Sequence, residues 1–205
     1  MRSFVTVEAK AVPMPAPNID TDQIIPARFL CRPREQGFGD CLFHDARFDE
    51  KGNARPEHVL NQTRFADARV LVAGHNFGCG SSREAAVLAL ADWGIRAVVA
   101  PSFGDIFFNN SLINGLLPVK LSEGEVADIL RAIDERDGTI RIDLENLSVK
   151  AGGKAYSFHV DGRRRRCMLE GLDDIALTRT LSAQIEAFAG RHFASMPWLH
   201  YDRSS

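Results

Sequence analysis

An α/β fold is predicted by three observations. Two short apolar runs, Val70–Ala73 and Ala97–Ala100, are bounded by turn residues, as buried strands are. Stretches of helical spacing follow each of them, over residues 82–93 and 105–114. From residue 139 the pattern switches to period two, which half-buried strands require.

Taken in order, residues 4–9 alternate as a short strand and are followed by Pro13, Pro15 and Pro17. Residues 18–30 form a turn-rich polar cluster that leads into an apolar patch. Residues 31–66 are irregular and dense in Gly, Pro, Asp and Arg. Such a length without regular structure is uncommon in a compact domain unless it binds something or is mobile. Val70–Ala73 then reads as a buried strand ending at Gly74. The helix over 82–93 stops at Gly94, and the strand Ala97–Ala100 stops at Pro101. A helix over 105–114 ends at Gly115, and residues 119–121 form a third strand. Ser122-Glu123-Gly124-Glu125 is a capping box that opens a helix to about Arg136. Residues 139–144 and 155–160 are strands, with Gly152-Gly153 as a turn between neighbours. The last third is helical, over 164–170 and 174–193. The whole reads as one domain over 1–205, with a helical extension at about 163–195. Arg163–Arg166 is the strongest charge run and reads as a solvated helix face.

Composition narrows the function. The 205 residues are 45% hydrophobic and 25% charged, enough to build a core. Net charge is -2 and the pI is near 6.3, so no broad basic field invites nucleic acid. The longest uncharged stretch, residues 106–119, has 14 residues and holds three asparagines. A membrane-spanning helix needs roughly twenty apolar residues. The N-terminus lacks the apolar core of a signal peptide, so a cytoplasmic protein is expected. Cys31, Cys41, Cys79 and Cys167 include no C-x-x-C pair, and their spacing suits neither a zinc site nor a cluster-binding run. Four free thiols and no metal site are expected.

The informative segment is Gly74-His75-Asn76-Phe77-Gly78-Cys79-Gly80-Ser81-Ser82-Arg83-Glu84, between a predicted strand and a predicted helix. Ligands of open α/β sheets bind at such turns. Glycines let backbone approach a ligand closely, and a helix start offers unpaired N–H groups to an anion. It is not a P-loop, because no lysine is present. It is not a dinucleotide fingerprint either. Arg83 stands where the third glycine belongs, and no acidic residue occurs near Ala100 and Pro101. An arginine there suits a carboxylate, which its guanidinium grips through two parallel hydrogen bonds. Two readings stand side by side. Ser81 and Glu84 could form a simple capping box, or the turn Gly78-Cys79-Gly80 with Ser81, Ser82 and Arg83 binds an anion.

Asn-Phe-Gly-Cys-Gly-Ser-Ser-Arg-Glu at 76–84 resembles the signature of the small swivelling domain of the aconitase superfamily. Asn18-Ile19-Asp20-Thr21-Asp22-Gln23-Ile24-Ile25-Pro26 resembles the second signature of its isopropylmalate dehydratase branch. The similarity continues through Ala100-Pro101-Ser102-Phe103, Asn109-Asn110-Ser111, Gly115-Leu116-Leu117-Pro118 and Gly171-Leu172-Asp173-Asp174-Ile175. It covers nearly the whole chain in order. The resemblance implies a three-layer β/β/α swivelling domain. It implies a hydro-lyase small subunit that isomerises 2-isopropylmalate to 3-isopropylmalate in leucine biosynthesis. A [4Fe–4S] cluster is expected on a large subunit, with no cofactor on this chain. By position in the motif, Ser81 is the expected base. Arg83 and Ser82 bind substrate carboxylate, and Gly78, Cys79 and Gly80 form the oxyanion turn. Asp20, Thr21 and Asp22 support the site, and Arg28 belongs to a substrate-recognition segment within 28–66. The family pattern has histidine after Glu84, where this chain has Ala85. That departure leaves a related alkylmalate or citramalate as an alternative substrate. A non-enzymatic carboxylate-binding module is the alternative of another class.

Overall fold

The structure is a computed structural model that describes residues 2–135, 138–196 and 198 of the chain. The chain divides into two compact units, Met1–Gly171 and Leu172–Ser205.

The first unit is built on one seven-stranded sheet. Its strands are β1 (Thr6–Met14), β2 (Val70–Ala73), β3 (Ala97–Ala100), β4 (Leu117–Lys120), β5 (Thr139–Asp143), β6 (Ser148–Ala151) and β7 (Lys154–Ser157). Their order across the sheet is β4-β3-β2-β1-β5-β6-β7. Strand β1 joins two regimes. Its first half, Thr6 to Lys10, pairs antiparallel with β5, and its second half, Ala11 to Met14, pairs parallel with β2. The parallel half continues through β3 and β4, and the antiparallel half through β6 and β7.

The parallel strands are joined by helices, as parallel connections require. The helices are α3 (Glu84–Trp93), α4 (Asp105–Asn114) and α5 (Glu123–Glu135), preceded by the short α1 (Thr21–Ile24) and α2 (His44–Arg47). Helices α3 and α4 pack on each other, and α5 packs on β1, β2 and β3. All four residues of β2 and of β3 are fully buried, so both faces of these strands are covered. Each such Val or Leu is worth about 1.5–3 kcal/mol on burial. Ser122 caps α5: its amide donates to Glu125 Oε2 at 2.8 Å, so the expected capping box forms. The expected end of that helix at Arg136 lies outside the described residues. Helix α6 (Gly162–Glu170) is capped by Asp161 and closes the first unit.

The structure corrects several boundaries. Strand β1 runs to Met14 instead of ending at Ala9, through Pro13. The Ala11 amide donates to Gly138 O, while the Lys10 and Met14 carbonyls accept from Arg69 and Gly74. By alternation, Pro13 turns its missing N–H toward the side that β5 has already left. Strand β4 begins at Leu117 and includes Pro118, which an edge strand tolerates. Strand β6 was not anticipated. The region 28–66 is folded into short 3-10 turns around α2. Phe38, Leu42, Phe43, Leu60 and Phe65 from it join the hydrophobic core.

The second unit holds α7 (Asp174–Arg179) and α8 (Ser182–Ser195) in place of one continuous helix. Asp173 caps α7 by accepting the Ala176 amide at 2.6 Å. Among the described residues no helix is long and apolar enough to cross a membrane.

Candidate active site

The Gly-rich turn leaves the C-terminal end of β2 and runs beside the segment that leaves the C-terminal end of β1. Backbone hydrogen bonds tie the two segments into a short parallel bridge. Asn18 N donates to His75 O at 2.8 Å, Gly78 N to Ile19 O at 2.7 Å, and Thr21 N to Cys79 O at 2.9 Å. Side chains extend the pairing. Asn76 Nδ2 donates to Asn18 Oδ1 at 2.8 Å, Thr21 Oγ1 donates to Ser81 O at 2.9 Å, and Arg83 forms an ion pair with Asp22. The two motifs singled out from sequence, 60 residues apart at Thr21 and Ser81, therefore form one site.

Each piece has a local cause. Asp20 accepts the Gln23 amide at 2.7 Å and starts the single turn of α1, which places Thr21 and Asp22 toward the Gly-rich turn. Gly78 has φ +71°, and a Cβ there would sit 2.3 Å from Phe107 Cγ, so only glycine lets the turn pass over the α4 aromatic ring. A second anchor comes from the loop after β3. Phe77 N donates to Ser102 O at 3.0 Å, and Gly104 N to Phe77 O at 2.9 Å. Asn76 N donates to Ser102 Oγ at 2.8 Å, and His75 Nδ1 lies 2.9 Å from the same oxygen. Ser102 thus pins the turn. The sequence reading noted its segment but gave it no role, because the contact spans a whole crossover, β2 to α3 to β3.

The structure decides between the two readings of Ser81 in one respect. Helix α3 begins at Glu84, and Arg83 occupies the cap position with extended backbone. Ser81 is therefore not the N-cap, and no side chain caps this helix. By the same token Gly78, Cys79 and Gly80 lie ahead of the helix start instead of forming it. Gly78 and Cys79 belong to the bridge, and Gly80 follows with φ +89°. Among the described residues, the amides of Gly80, Ser81, Ser82 and Arg83 have no protein acceptor. Ser81 and Ser82 are exposed, and the Arg83 side chain is mostly buried, at 16% relative exposure. Residues 80–83 thus carry four unpaired N–H groups, two exposed hydroxyls and a guanidinium within four consecutive positions, a set that suits an anion.

Arg28 is held elsewhere. Its guanidinium grips Asp45 through both carboxylate oxygens, reaches His44 Nδ1 at 3.3 Å and lies 4.6 Å from the Phe29 ring centre. The same pairing holds the Asp45 carboxyl below its usual range. No contact joins Arg28 to the turn at 76–83 among the described residues. Within the same region, Arg47 is buried and stacks 4.1 Å from the Trp93 ring centre, with Nε on Asn61 Oδ1 at 3.0 Å. The four cysteines are free: Cys41 and Cys167 are buried, Cys31 is exposed, and Cys79 lies in the turn.

A family model described as the aconitase C-terminal domain matches residues 1–124, which span the parallel sheet and the whole turn. The 3-isopropylmalate dehydratase small subunit of Dinoroseobacter shibae is 46% identical over 97% of this chain and 100% of its own length. Small subunit 1 of the same enzyme from Chromobacterium violaceum is 47% identical over 97% of this chain and 94% of its own. The crystal structure of 3-isopropylmalate dehydratase from Methanocaldococcus jannaschii superposes with a TM-score of 0.62 at 28% identity, covering 89% of this chain and 99% of that one. The chain belongs to the aconitase C-terminal domain family, and within it to the small subunits of 3-isopropylmalate dehydratase.

Proposed function

We propose that this chain is the small subunit of a hydro-lyase that interconverts 2-isopropylmalate and 3-isopropylmalate, with Ser81 and Arg83 as its working residues. The observation that carries the reading is the junction of the 18–22 segment with the 76–83 turn. It gathers a hydroxyl, free amides and a guanidinium at the carboxyl ends of the parallel strands.

The roles are those the family resemblance implies, and the geometry supports them. Arg83 uses Nη1 on Asp22, which leaves its other N–H donors for a substrate carboxylate. Ser82 stands beside it as a second donor. Ser81 is the base for the carbon-bound proton. A serine hydroxyl is a weak base, so its oxyanion needs nearby donors. The unpaired amides of Gly80 to Arg83 are the available ones, together with the positive end of α3. Thr21 supports this by fixing the Ser81 carbonyl, and so the direction of the turn.

The name small subunit implies a larger partner. We place a [4Fe–4S] cluster on that large subunit. Cluster ligation needs several thiolates together, and among the described residues no three metal-ligating side chains are gathered. When bound there, the cluster supplies Lewis-acid activation of the substrate hydroxyl. Four free thiols fit a reducing compartment, and we place the complex in the cytoplasm. Arg28 joins the substrate-recognition segment only by releasing Asp45. The names of the relatives favour isopropylmalate over another alkylmalate despite Ala85.

The test is reconstitution. The chain mixed with a cluster-bearing large subunit turns over 2-isopropylmalate, and neither chain alone does. A complex that binds substrate but has no turnover would leave only a carboxylate-binding module.

A further inference from the structure

A second cationic site lies at the opposite end of the parallel strands. Arg69 immediately precedes β2 and Arg96 immediately precedes β3, whereas the candidate active-site turn follows β2. With Arg2 they line a cleft of about 640 Å³ that also reaches Gly94 and Asn114, at the ends of α3 and α4. Among the described residues that line it, none is acidic.

The three guanidiniums are under-used by the protein. Arg96 Nη2 donates to Ser3 O at 2.7 Å, and its guanidinium lies 5.4 Å from the Phe4 ring centre. Arg69 Nη1 reaches Gly94 O only at 3.4 Å. A Cβ on Gly94 would come within 2.2 Å of that Nη1, so glycine leaves the space the guanidinium occupies. Each arginine carries five N–H donors. Among the described residues none of the three pairs with a carboxylate. Helix ends do not balance them. The C-termini of α3 and α4 offer about half a negative charge each, against three full positive charges. Burial, and then the charge of Arg2, push the Arg96 guanidinium below its ordinary value.

We propose that the cleft formed by Arg2, Arg69 and Arg96 binds a small multivalent oxyanion, a polyphosphate or a polycarboxylate. Apolar residues Val5 and Ile95 form part of its wall, which lowers the local dielectric and strengthens the pairing. A single-charge anion would leave the cleft cationic, so a divalent or trivalent ligand fits best. Because the cleft opens at the far end of the sheet from Ser81, its occupancy does not compete with substrate.

Calorimetric titration of the full chain tests this, with sodium pyrophosphate in one arm and tricarballylate in the other, at matched low ionic strength. Saturable binding is expected. It should weaken by about tenfold or more in Arg2→Gln/Arg69→Gln, which removes two charge-assisted partners but keeps the Arg96–Ser3 bond. Lys150→Gln removes an exposed charge on β6 that lines neither this cleft nor the active-site turn. It should bind as the wild type does, which separates the cleft from a general effect of net charge. The arm with tighter binding identifies phosphate or carboxylate as the natural chemistry. Arg2→Gln alone serves should the double variant fail to fold, since Arg2 makes no hydrogen bond or ion pair among the described residues. Absence of saturable binding in both arms overturns the proposal. So does binding that survives loss of Arg2 and Arg69, or that falls equally in Lys150→Gln.

Discussion

At the residue scale, Ser81 separates chemistry from folding more cleanly than sequence suggests. A capping serine replaced by alanine costs about 0.5–2 kcal/mol. Here the cap position belongs to Arg83, and the contact that fixes Ser81 is made by its backbone carbonyl. Ser81→Ala should therefore leave the thermal midpoint of the chain unchanged and abolish kcat in the reconstituted complex. Arg83→Lys keeps a positive charge near Asp22 but loses the two-pronged grip. The expected outcome is a raised KM with the fold intact, read by steady-state kinetics beside a melting curve. Gly78→Ala has the opposite signature. A Cβ 2.3 Å from the Phe107 ring, on a backbone with positive φ, should destabilise by about 1–3 kcal/mol or more, measured by denaturant unfolding. Retention of full stability would mean that the turn does not pass over Phe107.

At the element scale, what was legible followed from local rules. Strands β2 and β3 and helix α4 were read to the residue, because apolar runs and stop glycines define them. The start of α3 was misplaced by two residues, because Ser81 with Glu84 resembles a capping box while Cys79 is drawn into a bridge with Asp20. That bridge joins segments far apart in sequence, which no local pattern reveals. The region 28–66 looked irregular because Gly, Pro, Asp and Arg are scattered throughout it, yet its phenylalanines and leucines are what tie it down. His58 makes this region pH-sensitive. Burial, then the positive charge of Arg47, hold its imidazole below the ordinary value, and neutral Nδ1 accepts the Leu60 amide at 3.2 Å. Below about pH 6.5 the unfolded chain takes up a proton here that the folded chain resists, so stability falls as pH drops. Melting at about pH 7.5 and about pH 5.5 should show a larger acid loss for wild type than for His58→Asn. Equal losses would remove His58 as the cause.

At the scale of the whole molecule, β1 is the hinge of the design. It feeds an antiparallel half that closes the fold and a parallel half whose carboxyl ends carry the candidate active site. Family membership was legible because its two signatures are short and specific. Their spatial union was not, since it depends on β1 and β2 lying side by side. The chain offers a serine, a guanidinium and free amides, and its relatives are small subunits, which implies a larger partner; the proposed chemistry is completed on that partner. The purified chain should accordingly show no iron–sulfur absorbance and no lyase activity. The most direct measurement is turnover of 2-isopropylmalate by the large subunit reconstituted with wild-type chain or with Ser81→Ala. The account predicts activity with the first, none with the second, and the same thermal midpoint and substrate binding for both. An alanine variant that keeps a substantial share of wild-type kcat would contradict it.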